Sequence, residues 1–306
     1  EGYNTYSQKQ GLDLYTIESR LREFKVFFRD FKVNPKEAKQ KDVDKYLNLI
    51  GSRDYKDATI KTKKVFLIMF FEWLYGKKKD DIPTIKDIKI KDNGQFKLPE
   101  ELISPEEVKR MVQIADNFRD KCLIILLYES AARRGEILQL KIKHCDITPE
   151  KYAMVTVPMG KTVSRKLPIL FAMPHLKNWL NAHPLKDDPN APLFITQGSH
   201  LDNPLGEDGL KMIIKKVSKR SKIKKNIHPH LFRHSRLTEL AKELTEQELK
   251  VFAGWVGDSK MVKTYVHLSG SDVSNKLLAN AGLIDSKTIR IKQKVLEQIV
   301  CPRCRK

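Results

Sequence analysis

Residues 228–241 read "HPHLFRHSRLTELA", and the first seven of them decide how the rest of the chain is read. Pro229 stands where helices begin. His230 and Arg233 are three residues apart and therefore share a face in the first turn. Unpaired backbone N–H groups and the positive end of the helix dipole meet there, so a helix start bearing His and Arg suits an anion. His230 and His234 also have the i, i+4 spacing of a zinc pair, but the Arg233 cation between them would repel a metal. An ordinary structural helix start is the third reading. Of the three, phosphate binding fits the charges best.

The composition points the same way. The chain has 306 residues, a formal net charge of +20 and 41% hydrophobic residues. That length suits two domains, and the apolar content is enough for real cores rather than a disordered polycation. Both the N-terminal third and the remainder are basic, as expected of a protein that touches a polyanion with two domains. The alternative is a lysine-rich solvated surface. Cys122 and Cys145 lie in apolar or mixed stretches and read as buried free thiols of a reducing compartment. No apolar run is long enough to span a bilayer and no signal-peptide pattern opens the chain, so a cytoplasmic protein without a membrane partner is expected.

Hydrophobic periodicity predicts a mainly α fold: a small helical N-terminal domain followed by a mixed α+β domain with a small antiparallel sheet. In "TIESRLREFKVFFRDF" (16–31), Ile17, Leu21, Phe24, Phe27, Phe28 and Phe31 form a stripe, with Thr16 as the expected N-cap. "KDVDKYLNLIGS" (41–52) reads as a helix capped by Asp42 and ended by Gly51, and "ATIKTKKVFLIMFFEWLYG" (58–76) as an apolar helix ended by Gly76. Domain boundaries are set at 1–80, a charged linker over 81–101, a main domain over 102–284 and an extension over 285–306. "SPEE" (104–107) carries a capping box, with Ser104, Pro105 and Glu107 in its roles. "FRDKCLIILLYESA" (118–131) reads as a buried helix. "AMVTVP" (153–158) and "SRKLPIL" (164–170) read as strands of a hairpin. Helices follow around 175–180, 210–221, 231–244 and 246–254. Lys61, Lys63 and Lys64 near one helix start are expected either to meet phosphates or to form an ordinary solvated face, and Lys215, Lys216, Lys219 and Arg220 in "KKVSKRSKIKK" (215–225) are the expected contacts to a phosphate backbone.

In this order the motifs resemble the tyrosine recombinases, the integrase family that includes the Xer proteins, Cre and lambda integrase. "ESAARRGEILQLKIKHCDI" (129–147) is similar to the family's T-G-x-R-x-x-E box, with Arg133 and Glu136 in the charged positions and Ala131 and Ala132 in place of Thr-Gly. "MGKTVSRKLPI" (159–169) resembles the hairpin that carries a catalytic lysine, here Lys161. "HPHLFRH" resembles the H-x-L-R-H box and assigns His230 and Arg233. "FAGWVGDSKMVKTYVHLSG" (252–270) resembles the last segment, with Trp255 in the His/Trp position and Tyr265 as the nucleophile. The likeness covers roughly 102–284, and the helical first domain matches the family's core-binding domain in size and place.

The resemblance implies a reaction that these residue types suit. A tyrosine attacks a DNA phosphodiester, leaving a 3′-phosphotyrosine and a free 5′-hydroxyl. Arg133 and Arg233 can clamp the non-bridging oxygens with planar guanidinium forks, and Trp255 can add an indole N–H. His230 can hold or accept a proton near the nucleophile, and Lys161 can protonate the leaving oxygen. Tyr265, with a reference pKa of ~10, needs surrounding cations, and Glu136 would orient His230 or an arginine. One ester replaces another, so no cofactor, ATP or metal is expected. The implied partners are double-stranded DNA with inverted-repeat sites and further copies of the chain in a tetramer, with the helix read in "DVSNKLLANAG" (272–282) docking on a neighbour. "CPRC" (301–304) and the residues after the tyrosine resemble archaeal members that carry a zinc ribbon; Cys301 and Cys304 would be half of such a site, holding structural zinc only in a fuller-length ribbon. Two rivals use the same residues: a type IB topoisomerase-like relaxation, and a DNA-binding protein that has lost catalysis.

Overall fold

Among the described residues four α-helices build the N-terminal unit, and packing rather than propensity accounts for the first. The helix α1, Gly2–Lys9, is short and polar and has no apolar stripe to announce it. Tyr3 holds it in place: its ring is buried and meets Phe24 edge-on at 4.8 Å and Trp73 edge-on at 5.1 Å. This unit, Glu1–Gln95, is one of two compact parts of the chain; the other is Phe96–Lys306. The computed structural model describes residues 2–31, 34–90, 101–149, 152–158, 163–197, 203–256, 262 and 265, without the side chains of 30 and 31.

The expected stripe on α2, Leu14–Phe31, buries Ile17, Phe24 and Phe27 and half-buries Leu21 and Phe28; the Phe31 side chain lies outside the described residues. The helix begins three residues earlier than expected. Asp13, not Thr16, supplies the cap, accepting the Thr16 N–H at 2.8 Å and the Thr16 hydroxyl at 2.9 Å. In α3, Gln40–Ser52, Asp42 sits one turn inside the helix, where its carboxylate accepts the Lys39 N–H at 3.0 Å, and Gly51 is helical rather than terminal. Gly76 does end α4, Asp57–Tyr75, in the left-handed region at φ 63°. An aromatic core of Phe24, Phe27, Tyr46, Phe70 and Phe71 joins α2, α3 and α4. The stretch expected to be linker from residue 81 is partly core, because Ile82, Ile85 and Ile88 are buried in the same cluster. Spaced three apart between charged residues, they carry too few apolar neighbours for a clear period.

The second unit opens as the capping box requires. Ser104 accepts the Glu107 N–H at 3.2 Å, and Glu107 accepts the Ser104 N–H at 2.8 Å, starting α5, Pro105–Ile114. Helix α6, Phe118–Glu129, is apolar on all sides and central, with Cys122 through Tyr128 all buried. The short α7, Arg134–Leu138, follows. Among the described residues the sheet has three antiparallel strands in sequence order: β1, Cys145–Ile147, β2, Ala153–Val157, and β3, Arg165–Ile169. Val155 is opposite Cys145 on one side and Leu167 on the other. The hairpin is the one expected; β1 is an addition, at three residues too short to show alternation. Strands β2 and β3 alternate buried and more exposed residues, which turns Arg165, Leu167 and Ile169 inward.

Among the described residues four more helices follow: α8, Met173–Asn181, α9, Glu207–Arg220, α10, Pro229–Leu240, and α11, Glu246–Ala253. Glu129 ties the end of β3 to α6, its buried carboxylate accepting the N–H groups of Leu170, Phe171 and Ala172 at 2.7, 3.0 and 2.6 Å. Three bonds of this kind are what keeps an otherwise costly buried carboxylate in place, although burial still pushes its pKa up. Among the described residues no helix is long and apolar enough to cross a membrane.

Candidate active site

Arg133 stands four residues beyond the end of α6. The chain turns there through Ala131, which has φ +46°, a left-handed conformation uncommon for a residue with a side chain. A glycine would hold it without strain, so Ala131 occupies the glycine position of the T-G-x-R pattern. Ser130 then takes the threonine position, one residue earlier than the Ala131–Ala132 assignment made from sequence. The Ser130 hydroxyl donates to the Leu126 carbonyl at 2.6 Å and accepts the Ala132 N–H at 3.2 Å, which fixes the turn.

Arg133 is the N-cap of α7, and Glu136 reaches back to it. The carboxylate accepts the Arg133 backbone N–H at 2.8 Å and its Nη1 at 2.8 Å. Its second arginine is Arg165, whose Nη2 donates at 2.9 Å from β3. Burial alone would raise the Glu136 pKa, but the hydrogen bonds from Arg165 and Arg133 outweigh it and hold it at about 2. Glu136 therefore orients two arginines. Arg165 is itself buried, and its Nε and Nη1 have no hydrogen-bond partner among the described residues. Its guanidinium lies under Gly254: a Cβ built there would come 2.7 Å from Nη1.

Helix α10 presents the second box. Arg233 is buried, and two carbonyls hold its fork: that of Ala131 accepts from Nη1 at 2.6 Å and that of Ala253 from Nη2 at 2.9 Å. One guanidinium thus joins the turn after α6 to the end of α11. Burial and then the nearby charge of Arg133 lower its pKa to about 10, so it stays charged at neutral pH. Gly254, at φ 64°, ends α11 in the left-handed region and turns the chain to Trp255. The Trp255 ring then lies 5.7 Å from the Arg233 guanidinium and stacks on Tyr265 with ring centres 5.5 Å apart at 25°.

Tyr265 is buried against Ala131, Leu237, Leu249 and Ala253. Its hydroxyl lies 2.8 Å from Nδ1 of His234. Burial pushes the phenol up to about 12, against the opposing pull of Arg233 and Arg133. The His230 ring meets that of His234 edge-on at 4.6 Å, on the exposed side. The two histidines read as a metal-spaced pair are therefore in ring contact, with Nδ1 of one on the phenol.

Arg133, Glu136, Arg233, Trp255 and Tyr265, expected from three separate stretches, lie in one connected cluster. His230 borders it through His234. Lys161 lies outside the described residues, as do Cys301, Cys304 and the 272–282 stretch. Two members had no role assigned from sequence. His234 was weighed only as half of a metal pair, although the H-x-L-R-H pattern includes it. Arg165 stands in the lysine hairpin pattern, and nothing local shows that a strand residue will turn under Gly254.

The basic residues expected on DNA are divided between the two units. Lys61 and Lys64, with Lys89, line a concavity of about 380 Å³ in the first unit, beside Leu47 and Ile60. Lys63 is turned to Glu23 in an ion pair and lies over the Tyr55 ring. On α9, Lys215, Lys216, Lys219 and Arg220 are all exposed, and Lys216 and Arg220 share Asp116 at 3.0 and 2.5 Å. Hydrogen bonds from Arg220 and Lys216 hold the Asp116 carboxyl at about 2.

Known proteins share this arrangement of sequence and fold. The model of the Phage integrase family matches residues 101–271. Tyrosine recombinase XerA of Pyrococcus horikoshii is 26% identical over 184 residues, 56% of this chain and 58% of that protein. A tyrosine recombinase of Pseudothermotoga lettingae is 26% identical over 271 residues, 84% of this chain and 89% of that protein. Among solved structures, the Tn1549 transposon integrase in complex with transposon right end DNA has the same fold, with a TM-score of 0.71 at 16% identity, covering 91% of this chain and 98% of that one. With the family model spanning more than half its length, the chain belongs to the phage integrase family.

Proposed function

We propose that this protein breaks and rejoins DNA strands in site-specific recombination, with Tyr265 as the nucleophile. The observation that carries the reading is the convergence on one hydroxyl. Tyr265 Oη lies 2.8 Å from an imidazole nitrogen, under an indole, and within the electrostatic reach of two guanidinium groups, Arg233 and Arg133. An attack on phosphorus builds negative charge on the non-bridging oxygens, and fixed cations stabilise it most where water is excluded. Arg133, half-exposed beside the buried Arg233, is the member best placed to meet a phosphate from solvent.

The product of the first step is a 3′-phosphotyrosine with a free 5′-hydroxyl. The phosphoester bond is conserved, so the step calls for neither ATP nor a metal ion. A 5′-hydroxyl from a second duplex then attacks, the strand is exchanged and the ends are rejoined. The partners on this reading are double-stranded DNA with inverted-repeat sites and three further copies of the chain, in the cytoplasm. Lysines of the first unit and of α9 would hold the phosphate backbone without reading its sequence.

Trapping tests this. The full chain is incubated with a pool of randomly nicked duplex DNA in chelator, denatured, and the DNA attached to protein is measured. Wild type is expected to form an adduct resistant to denaturation, and Tyr265→Phe none. Equal adduct from Tyr265→Phe would give the attack to another residue; no adduct from wild type would leave a binding protein. Relaxation of a supercoiled plasmid without pairing of two sites would instead mark a topoisomerase-like activity.

A further inference from the structure

We propose that Arg165 is a positioning residue of the same site: it takes up the charge of Glu136, so that Arg133 meets the scissile phosphate as a cation that is not already neutralised. This rests on the strand-breaking reading above and adds a residue to it.

One negative charge is divided between two arginines. Oε1 of Glu136 accepts from Nη1 of Arg133 at 2.8 Å, and Oε2 accepts from Nη2 of Arg165 at 2.9 Å. Glu136 and Arg165 are buried, whereas Arg133 reaches solvent. Charges at such distances interact strongly where water is excluded. Without Arg165, the charge of Glu136 would fall on Arg133 alone, and the cation open to DNA would be the one neutralised.

The place of Arg165 suits a charge more than a fork. Nη2 bonds Glu136, but Nε and Nη1 have no hydrogen-bond partner among the described residues. Room for the guanidinium comes from Gly254, where a Cβ would stand 2.7 Å from Nη1. The positive charges of the cluster also feel one another. Burial, then Arg133 and Arg165, lower the pKa of Arg233 to about 10, with Glu136 opposing.

Arg133, Arg165, Arg233 and Glu136 are three guanidinium groups and one carboxylate, which leaves two positive charges in excess. A phosphodiester brings one negative charge, and attack by Tyr265 builds more on the non-bridging oxygens. One positive charge matches the resting diester, and the second is used as the transition state forms. An interaction made in the transition state alone raises the rate and not the affinity. Loss of the Arg165 charge should therefore leave DNA bound and slow its cleavage.

Single-turnover cleavage by the full chain tests this, on a nicked duplex carrying the sequence recovered from wild-type adducts, at a temperature where every variant is folded. Raising the protein concentration over the duplex separates the maximal rate from the half-saturating concentration. Arg165→Gln keeps a donor for Glu136 and loses the charge. Its maximal rate is expected to fall roughly 10–100-fold, with half-saturation within about threefold of wild type. Arg165→Lys keeps the charge and a donor, so it should cleave clearly faster than Arg165→Gln. Adding Glu136→Gln to Arg165→Gln returns the set to two positive charges in excess and should recover most of the lost rate. A residue that serves the fold alone predicts the reverse, a double variant no faster than Arg165→Gln, and that result overturns the proposal. So does an Arg165→Lys rate equal to that of Arg165→Gln, or a loss confined to half-saturation. Each is read against a wild type that cleaves; a wild type that forms no adduct overturns the strand-breaking reading, and this proposal with it.

Discussion

Glu136 on α7 and Arg165 on β3 form a buried ion pair, Oε2 to Nη2 at 2.9 Å, and the same carboxylate also holds Arg133. One acidic side chain thereby sets the position of an arginine at the open face of the cluster and of another beneath it. The consequences are measurable in stability as well as in chemistry.

Removing Arg165 leaves Glu136 buried with half its partners. Arg165→Met is expected to destabilise the second unit by about 3–5 kcal/mol, while Glu136→Gln combined with Arg165→Met should cost clearly less than the two single changes summed. Urea unfolding of the four proteins in the cycle provides the comparison; strict additivity would mean that the pair is not coupled.

Glu136 also sets an acid limb. Its folded pKa, about 2, lies below the ordinary carboxylate value of 4.5, so its contribution is fully present above about pH 4.5 and is lost as pH falls toward 2. The difference corresponds to about 3 kcal/mol. Stability measured from pH 6 to pH 2 should fall less steeply in Glu136→Gln than in wild type, with the two curves converging at the acid end.

Gly254 carries two constraints at once: φ 64° and the Arg165 guanidinium 2.7 Å from where a Cβ would stand. Gly254→Ala is expected to cost about 2–4 kcal/mol, part from the left-handed backbone and part from overpacking. In the Arg165→Met background the overpacking part should disappear, leaving about 1–2 kcal/mol. Denaturation midpoints in both backgrounds separate the two parts.

Arg233→Lys keeps the charge and loses the fork. An ammonium cannot meet the Ala131 and Ala253 carbonyls as the guanidinium does, so one buried acceptor is left unmet at a cost of about 1–3 kcal/mol. Adduct formation should fall further than this stability loss explains, and trapping at a temperature where the variant is fully folded isolates that effect.

Tyr265→Phe should be nearly neutral for stability, losing one hydrogen bond of about 0.5–1.5 kcal/mol. Its spectroscopic effect is sharper. The Tyr265 phenol, pushed up to about 12, should ionise later than ordinary tyrosines near 10, and its contribution to stability is lost as pH rises through that range. Ultraviolet difference titration of wild type against the variant should show the missing absorbance change at the alkaline end.

Much of this protein was legible along the chain. The capping box at Ser104 and Glu107, the Gly76 stop and the apolar run of α6 are local patterns, set by residues within one or two helical turns of each other. The same holds for the start of α10 at Pro229, although His230 ends on its exposed side while Arg233 is buried. Helix α1 and the Ile82–Ile88 stretch were not legible, because their order comes from burial against distant aromatic and aliphatic side chains rather than from their own period.

The sequence by itself determined which chemical groups the site could contain, in what order, and which helix starts would display them. Only the tertiary structure decided which of two histidines meets Tyr265, across 31 residues, and that Arg165 rather than a histidine joins Glu136, across 29. Side chains on one helix keep a fixed spacing whatever the fold, whereas contacts between elements depend on how α6, α10, α11 and β3 pack, and no local spacing encodes that.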